Sequence, residues 1–270
     1  MVIELLSPAL GAVVTDVDLS APLADREIAG LREALEQHLV LIFCNQTLAP
    51  AQQRDLAERF GELYVHPFFP GVDGARGIVA FEHGDAREAA QNDWHSDVTF
   101  VAKPPKWSLL YGELIPPLGG DTLWASMYAA YEALSPAMQR MIEGLHALHD
   151  FSKDFPPQRF ATYGLDVSPA EVYAANPPVA HPLIRVHPQT GRKAIYVNSS
   201  FTTHVEGLRP RESAALLGFL FAHVAEPEFQ VRWRWSPGDV AFWDNHWTQH
   251  YAVSDYFPAR RRVRRATILD

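Results

Sequence analysis

The sequence predicts a mostly β protein: a double-stranded β-helix (jelly roll) core with helical insertions, forming one domain over residues 1–270. Three observations point there. Short strands recur with period-two alternation, most clearly in Phe229-Gln-Val-Arg-Trp-Arg-Trp235. There Phe229, Val231, Trp233 and Trp235 share one face, and Gln230, Arg232 and Arg234 share the other. Helices do not alternate regularly with strands, and no Gly-rich strand-to-helix turn follows the first strand, which counts against a doubly wound α/β sheet. The 21 prolines fall mostly at strand edges and in loops. With 47% hydrophobic residues in 270, no repeat and no linker, the chain suits one large packed domain.

The N-terminal quarter carries two helix patterns. The spacing of Ile28, Leu31 and Leu35 predicts a helix from about Asp25 to His38. A second opens near Pro50, carries Leu56 and Phe60 one turn apart, and meets Gly61 as a stop. Ser135-Pro136 reads as a cap followed by proline, opening a helix that buries Met138, Met141, Ile142 and Leu145. A fourth spans about Pro210 to Val224, with Leu217, Leu220, Phe221 and Val224 on one face. Strands are expected at Trp107–Leu114, 122–125, 181–186, 193–197, 229–235 and, after the turn Ser236-Pro-Gly-Asp239, at 240–243.

Composition excludes several classes. A net charge of -9 argues against general affinity for nucleic acid or for a membrane surface. No apolar run reaches 18 residues, and no signal stretch opens the sequence. The single cysteine, Cys44, lies in an apolar run and reads as a buried thiol in a reducing compartment. These features imply a soluble, cytoplasmic protein.

His-x-Asp/Glu occurs at His83, His95 and His204; with 12 histidines and 32 acidic residues, the spacing alone carries little. His83 and His204 stand in polar, loop-like stretches. His95 is flanked by Trp94, Val98 and Phe100, so its segment reads as a partly buried strand on which His95 and Asp97 point to one face. A hydrogen-bonded surface pair is the competing reading. A metal needs a third ligand. His250 follows a convincing strand, with His246 as a local competitor. Two imidazoles and one carboxylate leave octahedral positions open, as non-haem Fe(II) oxygenases require. Zinc more often takes a closed site, or three ligands plus water.

The basic run Ala259–Ile268 splits as a strand into two faces. Val263 belongs inside, which draws Arg261 and Arg265 inward and leaves Arg260, Arg262 and Arg264 on the other side. A buried guanidinium needs an anion, and its planar fork suits carboxylates and oxyanions.

At these residues the chain resembles the taurine dioxygenase family (TauD/TfdA) of Fe(II)/2-oxoglutarate-dependent oxygenases, and within it the taurine dioxygenases most. The matching stretches are Trp94-His-Ser-Asp-Val-Thr-Phe100, Gly119-Gly-Asp-Thr-Leu-Trp124, Phe201-Thr-Thr203, Glu228–Trp235, Trp243-Asp-Asn245, and Thr248-Gln-His-Tyr-Ala252 followed by Arg260–Ile268. They span nearly the whole chain. The resemblance implies that His95, Asp97 and His250 bind iron, with 2-oxoglutarate and O2 as cosubstrates. It implies that Thr122 and Arg261 hold the distal carboxylate of 2-oxoglutarate, and that Arg265 and His66 meet a sulfonate. Phe155 and Phe201 would be aromatic walls of the substrate pocket. Phe69 stands where taurine enzymes tend to have tyrosine, and Gln91 where asparagine is expected, with Asn92 beside it. Asp154 replaces a small polar residue and is expected to face solvent. A small anionic organic substrate and a homodimer or homotetramer follow from the same resemblance. Beside taurine or another alkanesulfonate, an alkyl sulfate ester or an aryloxyalkanoate satisfies the same chemistry. A zinc hydrolase and a non-catalytic anion-binding jelly roll are the readings from other classes.

Overall fold

The computed structural model describes residues 1–66, 69, 71–84, 93–162 and 167–270. In chain order its elements begin with β1 (Val2–Leu5), β2 (Ala12–Thr15), α1 (Asp25–His38), β3 (Val40–Phe43), α2 (Pro50–Glu58), β4 (Gly71–Val72), β5 (Ala75–His83), β6 (Trp107–Leu114) and β7 (Thr122–Ser126). Then follow α3 (Met127–Glu132), α4 (Pro136–Ile142), β8 (His146–His149), α5 (Phe151–Asp154), α6 (Pro157–Thr162), α7 (Pro169–Ala175), β9 (Val179–Pro182), β10 (Ile184–Val186), β11 (Lys193–Ile195) and β12 (Thr202–Val205). The chain ends with α8 (Pro210–His223), β13 (Gln230–Trp233), β14 (Val240–Asp244), β15 (Thr248–Ala252) and β16 (Arg261–Ile268).

The strands form one eight-stranded sheet, ordered β1-β2-β3-β14-β6-β16-β5-β4, and smaller sheets β13-β7-β15, β12-β8-β9 and β10-β11. This is the expected jelly-roll architecture with helical insertions. Alternation along the central strands serves two cores. On β14, Ala241 and Trp243 face inward, while Val240 and Phe242 face outward. The inner core packs the large sheet against β13-β7-β15, with Trp124 fully buried and its ring 5.8 Å from that of Trp243. The outer core packs it against α1 and α2, where Phe60 sets its ring edge-on to Phe242 at 4.7 Å. Each such side chain contributes about 1.5–3 kcal/mol by burial. A third cluster joins Val98, Phe100 and Phe201 to Phe151, Phe155 and Phe160 of the α5–α6 insertion.

Three helices share one start device. The side chains of Glu27, Gln52 and Glu212 accept the backbone N–H three residues back, at Ala24, Ala49 and Arg209, over 2.7, 2.8 and 2.8 Å. The first helix has the expected bounds and face, and α8 ends at His223 with Val224 as its cap. Elsewhere the structure corrects the sequence reading. On α4 only Ile142 is buried; Met141 is exposed, and Met138 and Leu145 are half-buried, because the helix ends at Ile142 and lies on the core by one edge. The second helix ends at Glu58, so Gly61 is not its stop. A Cβ on Gly61 would lie 2.4 Å from the carbonyl oxygen of Leu269, and close approach of that chain is what requires glycine. The expected strand 181–186 breaks at Leu183 into β9, paired with β8, and β10, paired with β11. The alternation of 229–235 puts Phe229, Val231 and Trp235 in the core, but ladder pairing covers only β13.

The last strand lies between β5 and β6 and is covered on both sides. Arg264, on the face opposite Arg261 and Arg265 as expected, is buried under α2. It donates to the Leu48 carbonyl and stacks 4.7 Å from the centre of the Tyr111 ring, while Gln53 donates to its carbonyl oxygen at 2.9 Å.

Candidate active site

The segment carrying His95 and Asp97 is not a regular strand. His95 makes a single bridge: its N–H donates to the His250 carbonyl at 3.0 Å, and the His250 N–H donates back at 2.7 Å. Beyond that pair, side chains replace the ladder. Ser96 Oγ donates to the Thr248 carbonyl at 2.7 Å. Asn245 then accepts the Asp97 N–H at 2.7 Å and donates to the Asp97 carbonyl at 2.9 Å. Residues 97–100 turn, with Val98 at φ +58. The strand expectation is thus corrected, yet its consequence stands, since the turn and β15 bring His95, Asp97 and His250 together. One ligand atom from each lies within 4.8 Å of the others, and all three residues are buried. His246, the local competitor, instead points Nε2 at the Pro104 carbonyl, 3.0 Å away.

The protonation pattern suits a cation. Burial opposes charge on Asp97, but Arg265, whose Nη1 donates to Oδ1 at 2.6 Å, outweighs it together with His250 and His95. Its carboxyl is held at about 2. Ser108 Oγ donates to Oδ2 at 3.1 Å. Burial, then the neighbouring His95, pushes His250 well below the usual histidine range, so its ring is neutral; among the described residues its buried Nδ1 has no hydrogen-bond partner. His95 directs Nδ1 to the Asp93 carbonyl at 2.9 Å, which assigns the proton there and leaves Nε2 as an electron-pair donor. A charged carboxylate and two imidazoles, with open space beside them, fit Fe(II).

The same cavity, of about 180 Å³, is lined by Thr122, Arg261 and Arg265. Arg261 is 8% exposed, and among the described residues its Nε and Nη2 have no hydrogen-bond partner. Burial lowers its pKa, with Tyr256 and Asp121 only partly offsetting this. Asp121 is engaged by Arg232 Nε at 2.7 Å. Glycine at 120 makes room, because a Cβ there would lie 2.9 Å from Arg261 Cδ, and its φ of +71 also favours glycine. Thr122 Oγ1 accepts from Trp235 Nε1 at 2.9 Å, so its own O–H remains to donate. An unpaired buried guanidinium beside a hydroxyl donor fits one end of a dicarboxylate.

Across the cavity the lining is aromatic: Phe69, Phe81, Phe100, Phe151, Phe155 and Phe201. His66 also lines it. Burial, then Arg265, pushes its pKa down to about 3, and Nδ1 accepts the Phe69 N–H at 3.2 Å, so it is a neutral ring with its proton on Nε2. Asp154 does not face solvent as the sequence suggested. It is buried against the cavity, with Arg159 Nη1 2.8 Å from Oδ1, so its charge is balanced within the wall. Gln91 and Asn92 lie outside the described residues. Ser108 and Asn245 had no assigned role in the sequence. Asn245 stood inside a recognised stretch, but nothing in one sequence says that its amide reaches back to Asp97.

The model of the taurine catabolism dioxygenase TauD, TfdA family matches residues 3–267. The chain belongs to this family. It is 38% identical over 266 residues to an alkylsulfatase of Acinetobacter baylyi, covering 97% of this chain and 83% of that protein. It is 34% identical to the alpha-ketoglutarate-dependent 2,4-dichlorophenoxyacetate dioxygenase of Cupriavidus pinatubonensis, covering 98% and 96%. Among solved structures, a taurine dioxygenase from Burkholderia xenovorans superposes with a TM-score of 0.84 at 37% identity, covering 99% of this chain and 88% of that one. As a TauD/TfdA enzyme, the protein is an Fe(II)/2-oxoglutarate-dependent dioxygenase, using O2 as its second cosubstrate. Among the described residues, no helix is long and apolar enough to cross a membrane.

Proposed function

We propose that this dioxygenase hydroxylates the carbon beside the sulfonate of an alkanesulfonate, with an alkyl sulfate ester as the next reading and an aryloxyalkanoate after it. The observation that carries the proposal is one cavity with three kinds of wall: the His95–Asp97–His250 group, the unpaired Arg261, and an aromatic face edged by Arg265 and His66. His95, Asp97 and His250 would hold Fe(II). Arg261 and the Thr122 hydroxyl would hold the far carboxylate of 2-oxoglutarate. Arg265 spends one N–H on Asp97, and the rest of its fork faces the substrate anion. It thereby ties the anion to a ligand of the metal, and so selects which C–H lies over the iron. His66 adds a neutral N–H.

Bound Fe(II), 2-oxoglutarate and O2 supply C–H hydroxylation, with succinate and CO2 as the other products. A hydroxyl on the carbon bearing a sulfonate leaves an adduct that collapses to aldehyde and sulfite. The same step on a sulfate ester gives aldehyde and sulfate. Phe69, Phe155 and Phe201 favour an apolar body, and the Asp154–Arg159 pair leaves no net charge in the wall for an ammonium group. This favours longer alkanesulfonates over taurine. The relatives support the range of anions: one is named for alkyl sulfates, one for an aryloxyacetate and one for taurine. A cytoplasmic location and a homodimer or homotetramer complete the proposal, on the family resemblance.

The test is a succinate-release assay with Fe(II), 2-oxoglutarate and O2 over taurine, longer alkanesulfonates, alkyl sulfates and aryloxyacetates, with sulfite, sulfate and phenol measured in parallel. Sulfite released from long alkanesulfonates ahead of taurine is the expected outcome. Sulfate or phenol as the leading product moves the assignment to the corresponding alternative, and succinate independent of every anion refutes all three.

A further inference from the structure

We propose that Asn245 is a positioning residue that holds Asp97 in its metal-binding pose against the strain of the turn that follows it. This rests on Asp97 being an iron ligand, as proposed above. Asn245 is fully buried. One carboxamide satisfies both main-chain groups of Asp97: Oδ1 accepts its N–H at 2.7 Å, and Nδ2 donates to its carbonyl at 2.9 Å. The orientation is fixed by the network, since Nδ2 also donates to the Pro105 carbonyl at 3.0 Å, and a flipped amide would set oxygen against two carbonyls. The Asn245 main chain is fastened as well, its N–H donating to the Lys106 carbonyl at 2.7 Å. The clamp is therefore anchored at the end of β14 and grips the peptide groups on either side of the Asp97 Cα.

The next residue explains why a clamp is needed there. Val98 has φ +58, a left-handed conformation that a β-branched side chain adopts only when its surroundings impose it. That turn swings the chain away from the β15 edge at Asp97, so the ladder begun by His95 and His250 cannot continue, and a side chain must supply what the next ladder rung would have supplied. Without the Asn245 amide, two buried peptide groups lose their partners and the turn is free to relax to negative φ, carrying the carboxylate with it.

A second carboxamide holds the far side of the same turn and gives a control. Asn198 Nδ2 donates to Thr99 Oγ1 at 3.0 Å, and its Oδ1 accepts the Phe201 N–H at 2.8 Å. It is fastened to the substrate wall and not to the ligand.

The experiment is a titration of the metal-free protein with Mn(II), followed by the loss of the free-ion electron spin resonance signal and needing no turnover. Parent, Asn245→Asp, Asn198→Ala, Val98→Gly and Asn245→Asp/Val98→Gly are compared, each checked by a thermal melt. Asn245→Asp keeps the shape but sets an oxygen against the Asp97 and Pro105 carbonyls, and should weaken Mn(II) binding by about 10–100-fold, the range for lost supporting contacts at metal sites. Asn198→Ala should leave Mn(II) affinity at the parent value while raising the substrate KM. In the double variant, glycine occupies the left-handed region without strain and should recover roughly tenfold of the lost affinity. Should Asn245→Asp fail to fold, recovery of folding and Mn(II) binding in the double variant supports the clamp, and no recovery overturns it. The proposal is also overturned if Asn245→Asp binds Mn(II) like the parent, or if Asn198→Ala loses as much affinity as Asn245→Asp. Asp97→Ala in the same titration tests the ligand assignment itself: binding unaffected by that change defeats the assignment whatever Asn245 does.

Discussion

Arg261 and Arg265 stand on one strand and reach one cavity, yet their surroundings differ in kind. Arg265 is half-buried and already holds an anion, the Asp97 carboxylate at 2.6 Å. Arg261 is buried more deeply, and among the described residues two of its three nitrogens have no hydrogen-bond partner. A fold that only needed charge balance would not leave a guanidinium in that state, because an unpaired buried cation costs more than almost any other polar group. The difference separates a charge already engaged by the protein from one whose donors, on the reading proposed above, await 2-oxoglutarate.

The largest effect should come from breaking the paired side. Asp97→Ala removes the carboxylate from the metal site and strands Arg265 at once. Metal-dependent succinate release should vanish, and unfolding in denaturant at neutral pH should show a loss of about 3–5 kcal/mol, the usual cost of removing one partner of a buried pair. The unpaired side should respond with the opposite sign in stability. Arg261→Gln deletes a buried charge whose burial Tyr256 and Asp121 only partly offset, so the ligand-free protein should melt no lower than the parent. Its KM for 2-oxoglutarate should nevertheless rise by an amount corresponding to roughly 2–5 kcal/mol, and the thermal stabilisation that 2-oxoglutarate with Mn(II) gives the parent should be lost. A marked fall in the melting temperature of ligand-free Arg261→Gln would erase the distinction between the two arginines.

A smaller effect sharpens the paired side through pH. The Asp97 carboxyl sits at about 2 against an ordinary 3.8. A depressed acid stabilises the fold while ionised, so this contribution, about 2 kcal/mol, is fully present above about pH 4 and is lost as pH falls through about 2. Arg265→Ala should flatten that acid limb. His66 works in the same direction but over a higher pH range. Held at about 3 against 6.5, it stays neutral in the fold while the unfolded chain takes up a proton, so stability declines as pH drops below about 6.5 and levels off near 3. Substrate KM should then be flat between about pH 6 and 8. Affinity that fell as pH rose through that window would show His66 binding the anion as a cation.

How much of this was legible follows from what each residue answers to. The first helix and the strand Trp107–Leu114 have the bounds that periodicity gives, because each buries a face that local spacing records. The inward turn of Arg261 and Arg265 was legible for the same reason, since Val263 had to be inside. The burial of Arg264 was not legible, because the helix covering it, α2, comes more than two hundred residues earlier in the chain. The pairing of Asp154 with Arg159 was invisible for a different reason: five residues apart, across two short helices, they obey no helical or strand period. At the proposed metal site, His95 and Asp97 were found through a strand that the chain does not make. The role of Asn245 stayed hidden, because a side chain that mimics a ladder rung leaves no periodic trace.

The most direct test is a crystal structure with Mn(II) and N-oxalylglycine, a 2-oxoglutarate analogue that resists turnover. The account predicts metal bonded to His95, Asp97 and His250, with the analogue's far carboxylate on Arg261 and Thr122 and the Arg265–Asp97 contact kept. Metal bound elsewhere, or that carboxylate on Arg265 with Arg261 still unpaired, would contradict it.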